Sequence, residues 1–303
     1  MSSIVIGSMS RLMSMARRNV FVAFATVFVL FAAGACGGGG GGGGAAAGGS
    51  ADASPSIVQK AHDAKKLVIG VKADQPGVGL RTPDGSFTGF DIDVAKYVAK
   101  QLGVDPQNIT FKETVSSNRE AFLQQGQVDM VVASYSITDE RKQKVSFAGP
   151  YFIAGQDLLV RADDTKLTGP KALNGKKLCS VVGSTPAQNI KNNYAKDVQL
   201  QEERTYSACV DRVLSGQLDA ITTDNIILAG YAAQHPGKLK LVGQTFSTEK
   251  YGIGLRKDDQ QGRKAVDDAL QKMFSDGSWM AAVQANFGSA GLAVPNPPSL
   301  ERY

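Results

Sequence analysis

Several side chains in this sequence could together grip a small zwitterion. Arg141 carries a planar guanidinium that can hold a carboxylate through two parallel N–H bonds, and Ser134, Ser136 and the backbone around them can add neutral donors. Thr185, followed by Pro186, reads as a helix N-cap with proline in the first turn, leaving free N–H groups to face an anion. Asp224, just past the run Ala220-Ile-Thr-Thr, offers a fixed anion for an ammonium. An α-amino acid presents a carboxylate and an ammonium on one carbon, so a fixed cation, neutral donors and a fixed anion match it. Each residue also has a plainer reading. Arg141 within Asp139-Glu-Arg-Lys142 suits a solvated helix face, Thr185 and Asp224 suit helix caps, and Tyr135 suits a pocket wall or the core equally.

Residues for catalysis are scarce. General acid–base chemistry needs a tuned Glu or His in a cleft, yet His62 lies ahead of the first expected strand and His235 sits in a Pro-Gly turn. There is no Gly-x-Ser-x-Gly, the glycines from Gly169 to Gly175 are wrongly spaced for a phosphate loop, and no Cys/His cluster has metal-ligand spacing. The expectation is a binding protein without enzymatic activity, cofactor or metal.

The 303 residues carry a formal charge of +5. Residues 1–35 hold Arg11, Arg17 and Arg18 and no acids, so without them 30 basic residues face 28 acidic ones and nucleic acid is not expected as a partner. Arg17 and Arg18 precede a largely apolar run from Val20 to Ala33, too short to span a bilayer and suited to a secretory signal. Ala33-Gly-Ala35 before Cys36 suits lipoprotein processing, in which the cysteine thiol takes a lipid and becomes the mature N-terminus. The glycine run 37–44 and the small residues after it read as a flexible tether. The expected location is the outer face of the cell membrane, held through lipidated Cys36. In that oxidising compartment the two remaining cysteines, Cys179 and Cys209, are expected to pair, worth about 3–4 kcal/mol for a loop of this size; two buried free thiols are the other reading.

The elements that would position the candidate residues follow from periodicity. Leu67–Val71 reads as a buried strand, and Pro83-Asp-Gly85 as a hairpin-type turn. Ile92, Ala95, Val98, Ala99 and Leu102 share one face of a helix over 91–102 that Gly103 ends. A helix over 119–125, capped by Ser117 or Asn118 and stopped by Gly126, leads into a strand over 128–133. The segment Leu123-Gln-Gln-Gly-Gln-Val-Asp-Met-Val131 is echoed by Val213-Leu-Ser-Gly-Gln-Leu-Asp-Ala-Ile221. Both strands run into polar residues, Ser134-Tyr-Ser136 and Thr222-Thr-Asp224. Two similar α/β lobes facing each other across a cleft follow, since ligands in open α/β sheets sit beyond the carboxyl ends of strands.

Gly89-Phe-Asp-Ile-Asp-Val-Ala-Lys-Tyr-Val-Ala-Lys-Gln-Leu102 matches the signature of the extracellular solute-binding proteins of family 3, the polar amino-acid receptors of ABC importers. Ser136-Ile-Thr-Asp-Glu-Arg141 and Gly183-Ser-Thr-Pro186 resemble that family's ligand loops, and Asp224 falls at its amine-binding aspartate. Val71-Lys-Ala-Asp-Gln-Pro-Gly77, Ser117-Asn-Arg119 and the two cysteines resemble its actinobacterial glutamate-binding lipoproteins most. The resemblance implies a two-lobed periplasmic-binding-protein fold of type II with two hinge crossovers, near 152–156 and 247–251. It implies lobe 1 over 57–152 and 249–303, lobe 2 over 153–248, and a leader and tether over 1–35 and 36–56. Lys72 and Arg119 align with arginines that hold the distal carboxylate in aspartate/glutamate receptors; with Arg141 they place three cations against Asp224. That surplus implies L-glutamate, then L-aspartate, as ligand and an ABC permease as partner of a monomeric protein. Ser116, Asp74 and Tyr206 complete the expected ligand set, although an aspartate near position 74 contacts the ligand in glutamine and histidine receptors, and Gly77 stands where those receptors carry an aromatic. A glutamine/asparagine receptor and the sensing subunit of a signalling system are the alternatives; a dehydratase-like enzyme is the remote one.

Overall fold

The computed structural model describes residues 55–194, 197–288 and 295–302. The leader, Cys36 and the glycine run lie outside these residues. Two five-stranded sheets, each flanked by helices, make two lobes. In chain order, α1 (Ile57–Ala64) leads to β1 (Leu67–Val71), which is the buried apolar strand expected. A small three-stranded sheet of β2 (Asp74–Gln75), β3 (Gly79–Arg81) and β4 (Phe87–Thr88) follows, turning at Pro83-Asp-Gly85. Helix α2 (Phe90–Gln101) buries Phe90, Ile92, Val94, Ala95, Val98 and Ala99, and Gly103 at φ +84° ends it. Then come β5 (Ile109–Glu113), α3 (Arg119–Gln124), β6 (Met130–Val131), α4 (Asp139–Lys142) and β7 (Ser146–Ala154). Asn118 stands at the N-cap of α3, but its side chain makes no capping bond.

The second sheet starts immediately. Only Gly155 separates β7 from β8 (Gln156–Arg161). Next are β9 (Lys177–Val181), α5 (Thr185–Asn189), β10 (Gln199–Glu203), α6 (Tyr206–Leu214), β11 (Ala220–Asp224), α7 (Asn225–Gln234) and β12 (Leu239–Leu241). The chain returns to the first sheet as β13 (Glu249–Leu255) and finishes with α8 (Gln260–Ser275) and α9 (Ser278–Phe287). The strand orders are β5-β1-β6-β13-β7 and β10-β9-β11-β8-β12. Four strands in each sheet run the same way, and only β13 in one and β8 in the other run antiparallel to them.

The echoed segments have a shared structural cause. Gly126 and Gly216 adopt φ +65° and +75° and release α3 and α6 toward the sheets. Three residues later an aspartate stitches the incoming strand to its neighbour. Asp129 accepts the N–H of Val68 at 2.7 Å, and Asp219 accepts that of Lys177 at 2.8 Å. The strand expected over 128–133 pairs as a ladder only at Met130–Val131, because the chain bends away and Ser134 takes φ +42°. Cys179 on β9 and Cys209 on α6 are disulfide-bonded and fully buried, as expected. No helix among the described residues is long and apolar enough to cross a membrane.

Candidate functional site

The bend at Ser134 starts the site. Its N–H donates to Asp91 at 2.7 Å and its hydroxyl to Gln75 Oε1 at 3.0 Å. A serine at positive φ is strained, and two buried acceptors hold it there. Asp91, fully buried, also accepts the Tyr151 hydroxyl at 2.7 Å; burial lifts its carboxyl to about 6 against these hydrogen bonds.

Arg119 opens α3 after a short 3-10 turn over Ser116–Asn118 and is almost wholly buried. Its Nε donates to Ser116 O at 3.2 Å, and its Nη1 to Ala133 O and Ser134 O at 3.2 and 3.3 Å. Its Nη2 crosses to Gly183 O on the second lobe at 3.3 Å. Four of its five donors thus point at backbone carbonyls. Arg141, on α4, donates from Nη1 to Ser136 O at 2.7 Å and from Nη2 to Gly183 O at 3.0 Å, and its Nε lies 3.5 Å from Glu120 Oε1. One N–H on each terminal nitrogen remains, which is the fork a carboxylate needs. Both guanidiniums lie over the Tyr135 ring, at 4.2 and 5.1 Å. The Tyr135 hydroxyl donates to Glu120 at 2.7 Å and the ring belongs to a small apolar cluster, so Tyr135 is a platform for the two cations.

Lys72, directly after β1, is buried and donates to Ser116 Oγ at 2.7 Å. Burial, then the charge of Arg119, pushes its ammonium down to about 7. Arg141 is held down to about 10, first by burial and then by Arg119. Among the described residues no acid forms an ion pair with Lys72 or Arg119.

Asp224 ends β11 on the second lobe. It stands at the N-cap of α7 without making a capping bond; Oδ2 accepts the Tyr251 hydroxyl, and Oδ1 has no partner among the described residues. Burial and the nearby Glu249 raise its carboxyl to about 7. Thr185 differs from expectation. Ser184 is the N-cap of α5, accepting Ala187 N at 3.2 Å, and Thr185 is the first helical residue. This frees the Thr185 hydroxyl, which donates to Glu249 at 2.8 Å and meets Ser136 Oγ at 3.1 Å. Asp74 also has a definite occupation: its carboxylate accepts the N–H groups of Tyr206 and Ser207 at 2.8 and 3.3 Å, at the start of α6. Tyr231 donates to the Asp74 carbonyl as well, so Asp74 ties the first lobe to the second. The buried Tyr206 ring lies beside Asp224.

The lobes are therefore closed on one another. Gly183 is needed there twice over: its φ is +77°, and a Cβ would lie 2.9 Å from Ser117 Cα across the cleft. A cavity of about 380 Å³ opens between the lobes, lined by Ser116, Glu120, Arg141, Gly183, Ser184 and Thr185 among others.

The structure brings Lys72, Ser116, Arg119, Ser134, Tyr135, Ser136, Arg141, Thr185, Tyr206 and Asp224 to this one interface, with Asp74 at its edge. It also corrects the charge count. Asp91, Glu120 and Glu249 stand among the cations beside Asp224, so the surplus is local to Lys72 and Arg119 rather than a property of the whole cleft. Sequence reasoning missed Gln75, Asp91, Glu249 and Tyr251. Asp91 carried a signal, as a buried-face acid within the Gly89-Phe-Asp motif; Gln75 and Glu249 depend on which distant strands meet.

Two α/β lobes closed over a cleft of buried charges and hydroxyls, with hydrogen bonds of Arg119, Arg141, Thr185 and Tyr231 crossing it, define a solute-binding protein. The chain belongs to the bacterial extracellular solute-binding proteins, family 3, whose sequence model matches residues 67–289. It is 45% identical over 236 residues to the glutamate-binding protein of Corynebacterium glutamicum, covering 75% of this chain and 80% of that one. It is 38% identical over 259 residues to the ABC transporter glutamine-binding protein of Bacillus subtilis, covering 85% and 93%. An ancestral arginine-binding protein solved with bound glutamine superposes with a TM-score of 0.69 at 36% identity, over 74% of this chain and 98% of that one. These relatives are binding proteins, not enzymes.

Proposed function

We propose that this protein captures an acidic amino acid outside the cell, L-glutamate ahead of L-aspartate, and delivers it to the permease of an ABC importer. The observation that carries this reading is the pair of buried cations, Lys72 and Arg119, with no acid paired to either among the described residues. A buried unpaired charge is costly, and a ligand's second carboxylate relieves it. The α-carboxylate takes the two remaining donors of Arg141, with Ser136 beside them. The α-ammonium takes the free Oδ1 of Asp224. The Gln75 side chain, whose Nε2 has no partner among the described residues, adds a neutral donor from the first lobe. Four charge-assisted contacts at about 1.5–3 kcal/mol each amount to roughly 6–12 kcal/mol, and micromolar binding needs about 8. The name of the Corynebacterium glutamicum relative supports the same ligand.

The reading extends to location. A lipid on Cys36, with the glycine run as leash, holds the two-lobed body at the outer face of the cell membrane. Calorimetry of the purified protein against the twenty amino acids tests the ligand directly; preference for glutamine, or for a basic amino acid, overturns the acidic reading. Glutamine is the specific competitor, because the Bacillus subtilis relative is named for it.

A further inference from the structure

Glu249 stands where the ligand clamp meets the hinge. It is the first residue of β13, and it pairs in register with Ala154, the last residue of β7, so the two passages between the lobes lie side by side. They are packed closely: a Cβ on Gly155 would lie 2.7 Å from the Thr245 side chain and 3.1 Å from Ser247 O. They are also hydrogen-bonded to each other, because Gln156 N, on the outgoing passage, donates to Ser247 Oγ at 3.1 Å on the returning one. Ser247 Oγ in turn donates to Glu249 Oε1 at 2.9 Å. The other oxygen, Oε2, accepts the Thr185 hydroxyl at 2.8 Å from the second lobe, and Thr185 touches Ser136 of the first lobe at 3.1 Å. One buried carboxylate thus links both crossovers to the Ser136–Thr185 hydroxyl pair that bridges the lobes at the Arg141 clamp.

We propose that Glu249 is a positioning residue of the closed state: it holds Thr185 against Ser136 only when the crossovers have their closed geometry, and so sets how long a bound ligand is retained. The chain of four bonds needs all five groups in place at once. Opening must break it somewhere between Ser136 and Gln156, because its members sit on both lobes and on both passages. Thr185 cannot be held this way by its own helix, whose cap is Ser184. The carboxylate also carries a charge near Arg141 and Asp224, the groups assigned to the two ends of the amino acid. Glu249 itself need not touch the ligand. It favours the closed conformation, and a ligand bound by both lobes is released only when that conformation opens. The inference rests on the amino-acid reading of the cleft, but not on which amino acid is bound.

The test uses the full-length protein and radiolabelled L-glutamate, or whichever amino acid the calorimetric panel ranks first. Association and release are timed separately by rapid filtration and cold chase. Glu249→Ala and Thr185→Val are each expected to speed release about tenfold to a hundredfold, the loss of one hydrogen bond to a charged group, with association little changed. The double variant should release no faster than the faster-releasing single, because both changes break one linkage. Glu249→Gln keeps an acceptor for Thr185 but cannot accept from both partners as a carboxylate does, and should fall between wild type and Glu249→Ala; it stands in if Glu249→Ala fails to fold. A merely structural residue would lower the melting temperature and leave the release rate alone. Unchanged release in Glu249→Gln and Thr185→Val, or additive effects in the double variant, would overturn the proposal. A wild-type preference for glutamine would leave these outcomes standing and remove only the acidic reading.

Discussion

Replacing Lys72 by methionine isolates the side-chain end of the proposed site. Methionine keeps the length and the apolar stem and removes only the charge and the donors. Among the described residues Lys72 has one hydrogen-bonded neighbour, Ser116, so few protein contacts are lost with it. Truncating a buried charge partner of a ligand costs about 2–4 kcal/mol. Part of that is already forfeited in the wild type, since burial holds the ammonium down to about 7 and so disfavours its charged form. The net expectation for L-glutamate is a loss of about 2–3.5 kcal/mol, roughly 25-fold to 300-fold in Kd. L-glutamine offers a neutral oxygen at the same place and should lose about 0.5–1.5 kcal/mol, the scale of an ordinary hydrogen bond. Isothermal calorimetry with both ligands at one pH reads the difference. The melting temperature should hold or rise, because an unpaired buried cation has been removed. Equal losses for the two ligands would refute the placement of Lys72 at the distal carboxylate, and with it the main support for an acidic ligand.

Other outcomes follow from the same geometry. Arg119→Ala should weaken glutamate more than glutamine and also lower the melting temperature, because the carbonyls of Ser116, Ala133 and Ser134 lose its N–H groups while Gly183 O keeps Arg141; equal losses for the two ligands would assign this arginine to structure alone. The pH profile of glutamate affinity should be bell-shaped around neutrality. The ligand's carboxylate raises the Lys72 pKa from about 7, so that contribution is full at lower pH and lost as pH rises. The ligand's ammonium lowers the Asp224 pKa from about 7, so its contribution is full at higher pH and lost as pH falls. Lys72→Met should therefore abolish the alkaline limb alone, and Asp224→Asn the acidic one, as followed by calorimetry across that range. Cys36→Ala should move the protein from the membrane fraction to the medium on fractionation of expressing cells. In small-angle scattering, saturating ligand should compact the protein, and an unchanged radius of gyration would count against hinge closure.

How much of this was legible in the sequence depends on the range of each interaction. β1 and α2 were readable because burial imposes its period within a few residues, and the echoed Gly-Gln-x-Asp segments were readable because each aspartate bonds to a strand its own lobe supplies. Cys179 and Cys209 were readable from compartment and number. The strand expected over 128–133 was overdrawn, since apolar Val132 and Ala133 continue the pattern while the ladder stops at Val131. What ends it is Ser134, bent to φ +42° by Asp91 and Gln75, residues 43 and 59 positions away. The misplaced cap at Thr185 was a one-residue error with a functional consequence, because it concealed a free hydroxyl and therefore Glu249 behind it.

The charge argument shows the same limit most clearly. Counting cations along the chain gave three against one, but a cleft is charged by what surrounds it in space. Asp91 reaches Ser134 from α2, Glu120 reaches Arg141 from α3, and Glu249 reaches Thr185 from the returning strand. What survives the fuller count is an uneven distribution. Among the described residues Arg141 has an acid beside it and Asp224 has a tyrosine hydroxyl, whereas Lys72 has only a serine and Arg119 only carbonyls and an aromatic face. A zwitterion alone fits the first pair and leaves the second unanswered. A ligand with one more negative charge answers both, which is why the case for an acidic amino acid rests on where the cations lie and not on how many there are.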